Sequence, residues 1–164
     1  MNRKHMRGTY TVEFAIVGLL VFTLLFGVLE MGRLYFTVNA LDEVVRRGTR
    51  LAAVCNINDA VVLQRAIFNA AGDTGNSKLI GDLATAKLEL TYLDVNGALV
   101  TNPADTVSAN GFRAIRYVRM SLPDFVYKLF IPGFGVSITL PTFQATLPRE
   151  SLGRHSDSGE ITPC

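Results

Sequence analysis

The sequence predicts an α+β protein anchored by one membrane-spanning helix, and three observations lead to this class. A run of sixteen residues without a formal charge, Phe14 to Leu29, follows a basic N-terminus. Helical spacing of apolar residues continues to about Val54, and alternating apolar residues appear later, between Lys87 and Leu140. A long helix followed by a few antiparallel strands predicts a small sheet packed on the C-terminal half of that helix.

The apolar run needs the residues just before it in order to cross a bilayer. As a helix, Phe14 to Leu29 rises about 24 Å, which is less than the roughly 30 Å of a hydrocarbon core. Counting from Thr9 gives 21 residues and a rise of about 31 Å, which does span. The spanning segment is therefore predicted at residues 9–29, and it contains Glu13 near one end.

The charges around the run predict its orientation. Arg3, Lys4 and Arg7 precede it, so the positive-inside rule places the N-terminus in the cytoplasm and everything after residue 30 on the other side. No Ala-X-Ala pattern closely follows Leu29, so ordinary signal-peptidase cleavage is not expected.

Glu13 is the main clue to function. A charged group at bilayer depth is costly and usually has a partner. The other interpretation is that Glu13 lies at the interface, where the positive end of the helix dipole favours an acid. Physical chemistry alone leaves both interpretations open.

The residues around Glu13 resemble a known processing site. Gly8 followed by Thr9, with Glu13 as the fifth residue after the glycine, resembles the prepilin-peptidase site of type IV pilins and pseudopilins. Thr9 departs from the aromatic residue that many pilins carry there. The resemblance implies a cut after Gly8 that creates a new ammonium at Thr9, one helical turn from Glu13. Glu13 would then pair with its own amine or with that of a neighbouring subunit in an assembling filament.

A wider stretch carries a more specific resemblance. Residues Arg7 to Arg33 closely resemble TadE-like proteins of tight-adherence (Flp-type) pilus systems, and Ala145 to Gly153 are similar to that family's ending. The resemblance implies a pilin-like fold and a structural role as a minor pilin or pseudopilin in pilus assembly. Its implied partners are prepilin peptidase, other pilins or pseudopilins, and the inner membrane, with no cofactor.

The resemblance also implies an organisation along the chain. It comprises a cytoplasmic leader (1–8), a transmembrane segment (9–29), an exported α+β domain (30–152) and a polar tail (153–164). We expect a single-pass protein of the bacterial inner membrane with a periplasmic domain. The alternative is an uncleaved signal-anchored protein whose exported domain binds a partner or ligand and never polymerises.

Within the exported part, the patterns predict further elements. The first helix ends near Val54, and Asn56 to Asp59 break it and cap a second helix that continues to Gly72. A hairpin is predicted next, with a strand at Lys87–Asp94, a turn at Asn96-Gly97 and a returning strand at Ala98–Thr101. Another strand is predicted at Arg113–Leu122, followed by a helical turn from Pro123 to Phe130 that ends at Pro132-Gly133. A last strand is predicted at Val136–Leu140.

Four aromatic residues, Phe125, Tyr127, Phe130 and Phe134, lie close together in the sequence. They would either contact another subunit or the membrane, or be buried in a small core, and burial is favoured.

Two cysteines, Cys55 and Cys164, permit one disulfide in an exported domain. That disulfide would tie the tail to the end of the long helix. Two unpaired thiols and an intermolecular bond are the alternatives.

The composition argues against an enzyme and against a nucleic-acid-binding protein. His5 lies in the leader and His155 in the tail, and no Cys or His cluster has metal-ligand spacing. No GxSxG elbow is present. The leader carries three of the 16 Lys and Arg and none of the 14 Asp and Glu. Its removal therefore leaves 13 basic and 14 acidic side chains, a net charge of −1, without a groove for a phosphate backbone.

Overall fold

The computed structural model describes residues 6–130, 136–155, 157–162 and 164. The helices are α1 (Met6–Val54) and α2 (Ala60–Ala66), with 3-10 turns at Thr85–Lys87 and Phe112–Ala114. The strands are β1 (Glu89–Leu93), β2 (Tyr117–Leu122), β3 (Val126–Lys128), β4 (Ser137–Thr139) and β5 (Phe143–Pro148). The predicted α+β class is confirmed. The described residues form two compact units, one within 1–36 and 126–138 and the other within 37–125 and 139–164.

The long helix predicted from Thr9 to Val54 is present as α1, which begins at Met6. Its sequence contains no proline, so nothing interrupts the i to i−4 hydrogen-bond ladder. An 18-residue window within it has a mean hydropathy of 2.5 and is 0% buried in the structure. By length and composition, α1 is therefore able to cross a membrane.

The first unit contains the N-terminal part of α1 and a two-stranded sheet of β3 and β4. The helical turn predicted from Pro123 to Phe130 is wrong, because Val126–Lys128 form strand β3. Asp124 adopts a left-handed φ of 48°, which turns the chain after β2 and prevents a helical turn. The residues that follow form β3, which pairs with β4. The predicted stop at Pro132-Gly133 lies outside the described residues.

In the second unit, the sheet has the order β1-β2-β5 with antiparallel neighbours. Val118, Met120 and Leu122 of β2 are fully buried. A Cβ atom on Gly48 of α1 would lie 2.1 Å from Met120 Sδ, so the glycine allows helix and sheet to approach closely. Thr49 donates to Ala145 O of β5 at 3.3 Å. The predicted packing of the sheet on the C-terminal half of α1 is confirmed.

Two sheet predictions need correction. The segment predicted to return at Ala98–Thr101 does run antiparallel beside β1, but the pairing is too short to form a strand. It consists of a bridge between Leu93 and Leu99 and two hydrogen bonds, from Asp94 N to Ala98 O and from Val100 N to Tyr92 O, each 2.9 Å long. The turn at Asn96-Gly97 does form, with Asp94 Oδ1 accepting from Asn96 N at 2.8 Å. On its other edge, β1 pairs with the distant β2 along its whole length. Strand β5 was not predicted, although its residues alternate between half-buried and exposed.

Helix α2 begins as predicted and ends early. Asp59 caps it by accepting from Val61 N at 2.9 Å. The helix was expected to reach Gly72 but ends at Ala66, because Phe68 adopts a left-handed φ of 64°. Gln64 Oε1 then accepts from Gly72 N at 2.7 Å and closes the loop that follows.

Candidate functional site

The predicted processing and assembly residues lie in the first turns of α1. Gly8, Thr9 and Glu13 are all exposed. A four-residue separation places Thr9 and Glu13 on one face of the helix, about 6 Å apart along its axis. An amine created at Thr9 is therefore within reach of the Glu13 carboxylate in the same helix or in a neighbouring one.

Glu13 differs from Glu30, the acidic residue at the other end of the apolar run. Among residues whose side chains the structure describes, none forms an ion pair with Glu13. The carboxylate projects from a part of α1 that is fully exposed in the isolated chain. A charged group at bilayer depth is costly and usually has a partner.

Glu30 is the first charged residue after the apolar run, and the structure buries it to 8% exposure. Its Oε1 atom accepts from Arg33 Nη2 at 2.5 Å and from the Tyr127 hydroxyl at 2.7 Å. Its Oε2 atom accepts from the backbone N–H of Phe130 at 3.2 Å. Arg33 also donates to the carbonyl of Lys128. We call these four residues, Glu30, Arg33, Tyr127 and Phe130, the Glu30 cluster.

Hydrogen bonding sets the protonation states in the Glu30 cluster. The bond from Arg33 is the main cause that lowers the pKa of Glu30, with burial opposing it and Tyr127 and Phe130 adding to it. Burial, and then the bond to Glu30, raise the pKa of Tyr127 to about 12. At neutral pH the glutamate is thus ionised and the tyrosine is a protonated donor.

The aromatic rings of the Glu30 cluster hold the guanidinium of Arg33. Its Cζ atom lies 3.8 Å from the Phe130 ring centroid and 4.5 Å from that of Tyr127, within the range of cation–π attraction. The cluster contains no nucleophile and no metal-ligand set. Its hydrogen bonds and ring contacts fix β3 and the residues after it to α1.

Sequence reasoning missed the Glu30 cluster. The only local signal was Glu30 and Arg33, whose i,i+3 spacing on a helix permits an ion pair. Tyr127 is 97 residues away from Glu30, and no pattern in the sequence connects them. Burial of the aromatic residues is confirmed for Phe125 and Tyr127, whereas Phe130 is 74% exposed. Phe134 lies outside the described residues.

The structure joins Cys55 and Cys164 in a disulfide, with Cα atoms 5.6 Å apart. The tail also bonds to the end of α1, where Gly153 N donates to Val54 O at 2.7 Å. Gly153 has a φ of 69°, and a Cβ atom there would lie 2.4 Å from Asn56 N. Only glycine allows so close an approach in that conformation.

Metal-ligating and catalytic groups do not gather elsewhere in the part of the chain that the structure describes. Over those residues, no three His, Cys, Asp or Glu side chains lie close enough to hold a metal ion. His155 is exposed in the tail, where its Nδ1 accepts from Asp157 N at 3.3 Å. His5 falls before the first described residue.

A helix of this length and hydropathy, joined to a small antiparallel sheet, defines a single-pass membrane-anchored α+β protein. Within that class, residues 8–50 match the family model described as TadE-like protein. The match confirms the resemblance seen in the sequence, and it indicates a component associated with tight-adherence pili. TadE-like proteins are structural pilus components, not a family of enzymes. Searches of curated proteins and of solved structures found no match.

Proposed function

We propose that this protein is a minor pilin or pseudopilin-like component that takes part in assembly of a tight-adherence type IV pilus. Prepilin peptidase would first remove residues 1–8 on the cytoplasmic side. The observation that carries the proposal is the TadE-like match, which starts at Gly8 and follows α1 to residue 50. The matched segment includes Thr9 and Glu13 in the spacing that the processing site requires.

After the cut, the new ammonium at Thr9 and the Glu13 carboxylate would form the assembly contact. At about 4 Å, such a pair attracts by roughly 4 kcal/mol at an effective dielectric constant of about 20. Desolvation of both groups offsets much of that attraction. The contact therefore serves mainly to set the register between neighbouring helices, because an unpaired acid within a bundle of apolar helices is costly.

The location and partners follow from the same contact. The protein would wait in the bacterial inner membrane with residues 1–8 in the cytoplasm and the α+β domain in the periplasm, as the basic residues before the span favour. Its partners would be prepilin peptidase and other pilins or pseudopilins. The proposal requires no cofactor, no nucleic acid and no catalytic activity.

The competing proposal is a signal-anchored protein that keeps its leader and binds a partner through its exported domain. It is favoured by Thr9, which stands where many pilins have an aromatic residue. The two proposals differ at one peptide bond, between Gly8 and Thr9.

Mass spectrometry of the N-terminus, on protein purified from its own host, tests the proposal. We expect a chain that begins at Thr9, and methylation of that amine would support pilin-type maturation further. A host that lacks the peptidase is the matched control and should yield the intact leader. Full-length protein in the host that has the peptidase would overturn the proposal in favour of the signal anchor.

A further inference from the structure

Large apolar side chains surround α1 just beyond the spanning segment. Met31 is 65% exposed and Tyr35 is 73% exposed, while Phe130 of the β3–β4 unit is 74% exposed. Soluble surfaces rarely leave side chains of this size exposed in a group. All three belong to the first compact unit.

The Glu30 cluster places the Phe130 ring at a defined level along α1. The backbone N–H of Phe130 lies 3.2 Å from Glu30 Oε2, and its ring lies 3.8 Å from Arg33 Cζ. Glu30 directly follows the spanning segment, and Arg33 is about 6 Å further along the helix axis than Leu29. Phe130 is therefore held within the interfacial layer, which extends about 5–8 Å beyond the hydrocarbon core.

The exposed side chains at this level lie on opposite sides of the helix. Met31 and Tyr35 are four residues apart and share one face, whereas Arg33, which carries Phe130, is rotated by about 200° from each of them. A single docked protein covers one face of a helix, whereas a lipid interface surrounds the helix. Exposed apolar side chains on opposite sides of α1 fit a lipid interface.

The polar groups at this level also suit a lipid headgroup region. Aromatic side chains are enriched at membrane interfaces, and long cationic side chains there extend towards the lipid phosphates. Arg33 lies against the Phe130 ring, and Lys128 is exposed at the end of β3. The apolar surface continues without interruption into the span, where Leu24 and Val28 are each 72% exposed.

We propose that Phe130, together with Met31 and Tyr35, inserts into the headgroup boundary of the leaflet next to residue 30, with phospholipid as the occupant of this surface. The Glu30 cluster acts as the brace that holds Phe130 at this depth. The inference rests on membrane anchoring by α1 and is independent of any role in a pilus.

The absence of tryptophan from the sequence makes a direct test possible. Phe130→Trp introduces the only tryptophan of the full chain, and it is excited at a wavelength that the five tyrosines do not absorb. The protein is reconstituted into phosphatidylcholine–phosphatidylglycerol vesicles that contain brominated acyl chains. We expect a blue-shifted emission and strong quenching, greatest for bromine near the headgroup end of the chain. Phe26→Trp in the span is the reference for a deep position. Val107→Trp, at a site that is 87% exposed in a loop of the second unit, is the reference for water.

Two results would overturn the proposal. Quenching of Phe130→Trp no stronger than that of Val107→Trp would place the ring in water. A blue shift without quenching would show that protein, such as a second copy of the chain, covers it instead of lipid. If Phe130→Trp does not fold, Tyr35→Trp probes the same level. Because purified protein and lipid suffice, a failed pilus assignment would leave this outcome unchanged.

Discussion

Two glutamates border the apolar run of α1, and they differ in burial and in hydrogen bonding. Glu13 is exposed at the N-terminal end, while Glu30 is buried and accepts three hydrogen bonds at the other end. Three donors occupy most of the roughly four acceptor sites of a carboxylate. The exposed carboxylate of Glu13 is open to contact with another molecule, which supports the assembly role that we propose for it, whereas Glu30 acts within its own chain.

At the residue scale, Glu13→Gln separates maturation from assembly. We expect the variant to be cut at Gly8 and to reach the membrane, but its assembly into pili should fall strongly because the amide carries no charge to pair with the Thr9 amine. Pili sheared from cells and quantified by immunoblot give the measurement. Glu43→Gln, an exposed site on the same helix, is the matched control. Unchanged assembly in Glu13→Gln would refute the pairing.

Tyr127→Phe tests whether the Glu30 cluster stabilises the fold. The change removes a 2.7 Å hydrogen bond to a carboxylate and leaves the ring in place, so the free energy of unfolding should fall by about 1.5–3 kcal/mol. Thermal unfolding in detergent measures this change. Tyr117→Phe, at a residue that is 37% exposed, should have little effect. Equal stability of the two variants would mean that the bond contributes nothing.

The pKa of Glu30 predicts a dependence of stability on pH. Its folded-state pKa lies below the usual value of 4.5, so the unfolded state binds the proton more readily. The cluster's contribution is therefore present above pH 4.5 and is lost as the pH falls through the lower folded-state pKa. Denaturation midpoints of wild type and Glu30→Gln should differ at neutral pH and converge in acid. Asp73 and Asp105 also have lowered pKa values, so the difference between the two proteins, not either curve alone, is the evidence. A constant difference would contradict this assignment.

At the scale of elements, α1 combines two environments in one continuous helix. Its first part is exposed along an 18-residue apolar window, and its second part buries Leu41, Val44 and Val45 completely. The first part is apolar on all sides, which suits lipid, whereas the second part has an apolar stripe that packs in a protein core. Close packing in the core depends on Gly48, which leaves room for Met120 of β2.

Gly48→Leu should loosen the contact between α1 and the sheet. The added side chain would displace Met120 and press on Ala66, whose Cβ is 3.0 Å from the first added atom. Overpacking of this kind costs about 1–3 kcal/mol. Chemical denaturation measures the loss, with Gly32→Leu as control because nothing lies within 4 Å of a Cβ at that site. A Gly48→Leu protein as stable as Gly32→Leu would show that the core adapts.

At the scale of the whole molecule, one covalent link joins distant parts of the sequence. Cys55 and Cys164 are 109 residues apart, and a bridge across a loop of that length contributes at most about 4–5 kcal/mol in the chain-entropy model. Within the tail, the backbone N–H of Thr162 donates to Gly153 O at 2.9 Å.

Cys164→Ser should lower the free energy of unfolding and abolish the mobility difference between reduced and oxidised protein on electrophoresis. Cys164 is preferred over Cys55 because Cys55 is 1% exposed, and a serine there would bury a hydroxyl group. Wild type treated with reductant is the matched control. Reductant-sensitive dimers of the wild type would indicate an intermolecular bond and contradict the internal bridge.

Sequence reasoning succeeded where a feature depends on neighbouring residues. The apolar run, the basic residues before it and the spacing from Gly8 to Glu13 are local, so the anchor and the family could be recognised without a structure. The roles of Gly8, Thr9 and Glu13 remain predictions. Periodicity also located α1, because helical hydrogen bonds join residues only four apart.

The tertiary structure decided whatever depends on contacts between distant residues. The register of a strand is set by the faces that become buried, so no local pattern showed that β1 pairs with the distant β2. Likewise, the pairing of β3 with β4 and the bond from Tyr127 to Glu30 join segments that local patterns do not connect. Local composition alone determined that this chain enters a membrane. The three-dimensional fold determined which residues meet at the end of the apolar run, because only folding brings residues as far apart in sequence as Glu30 and Tyr127 within hydrogen-bond distance.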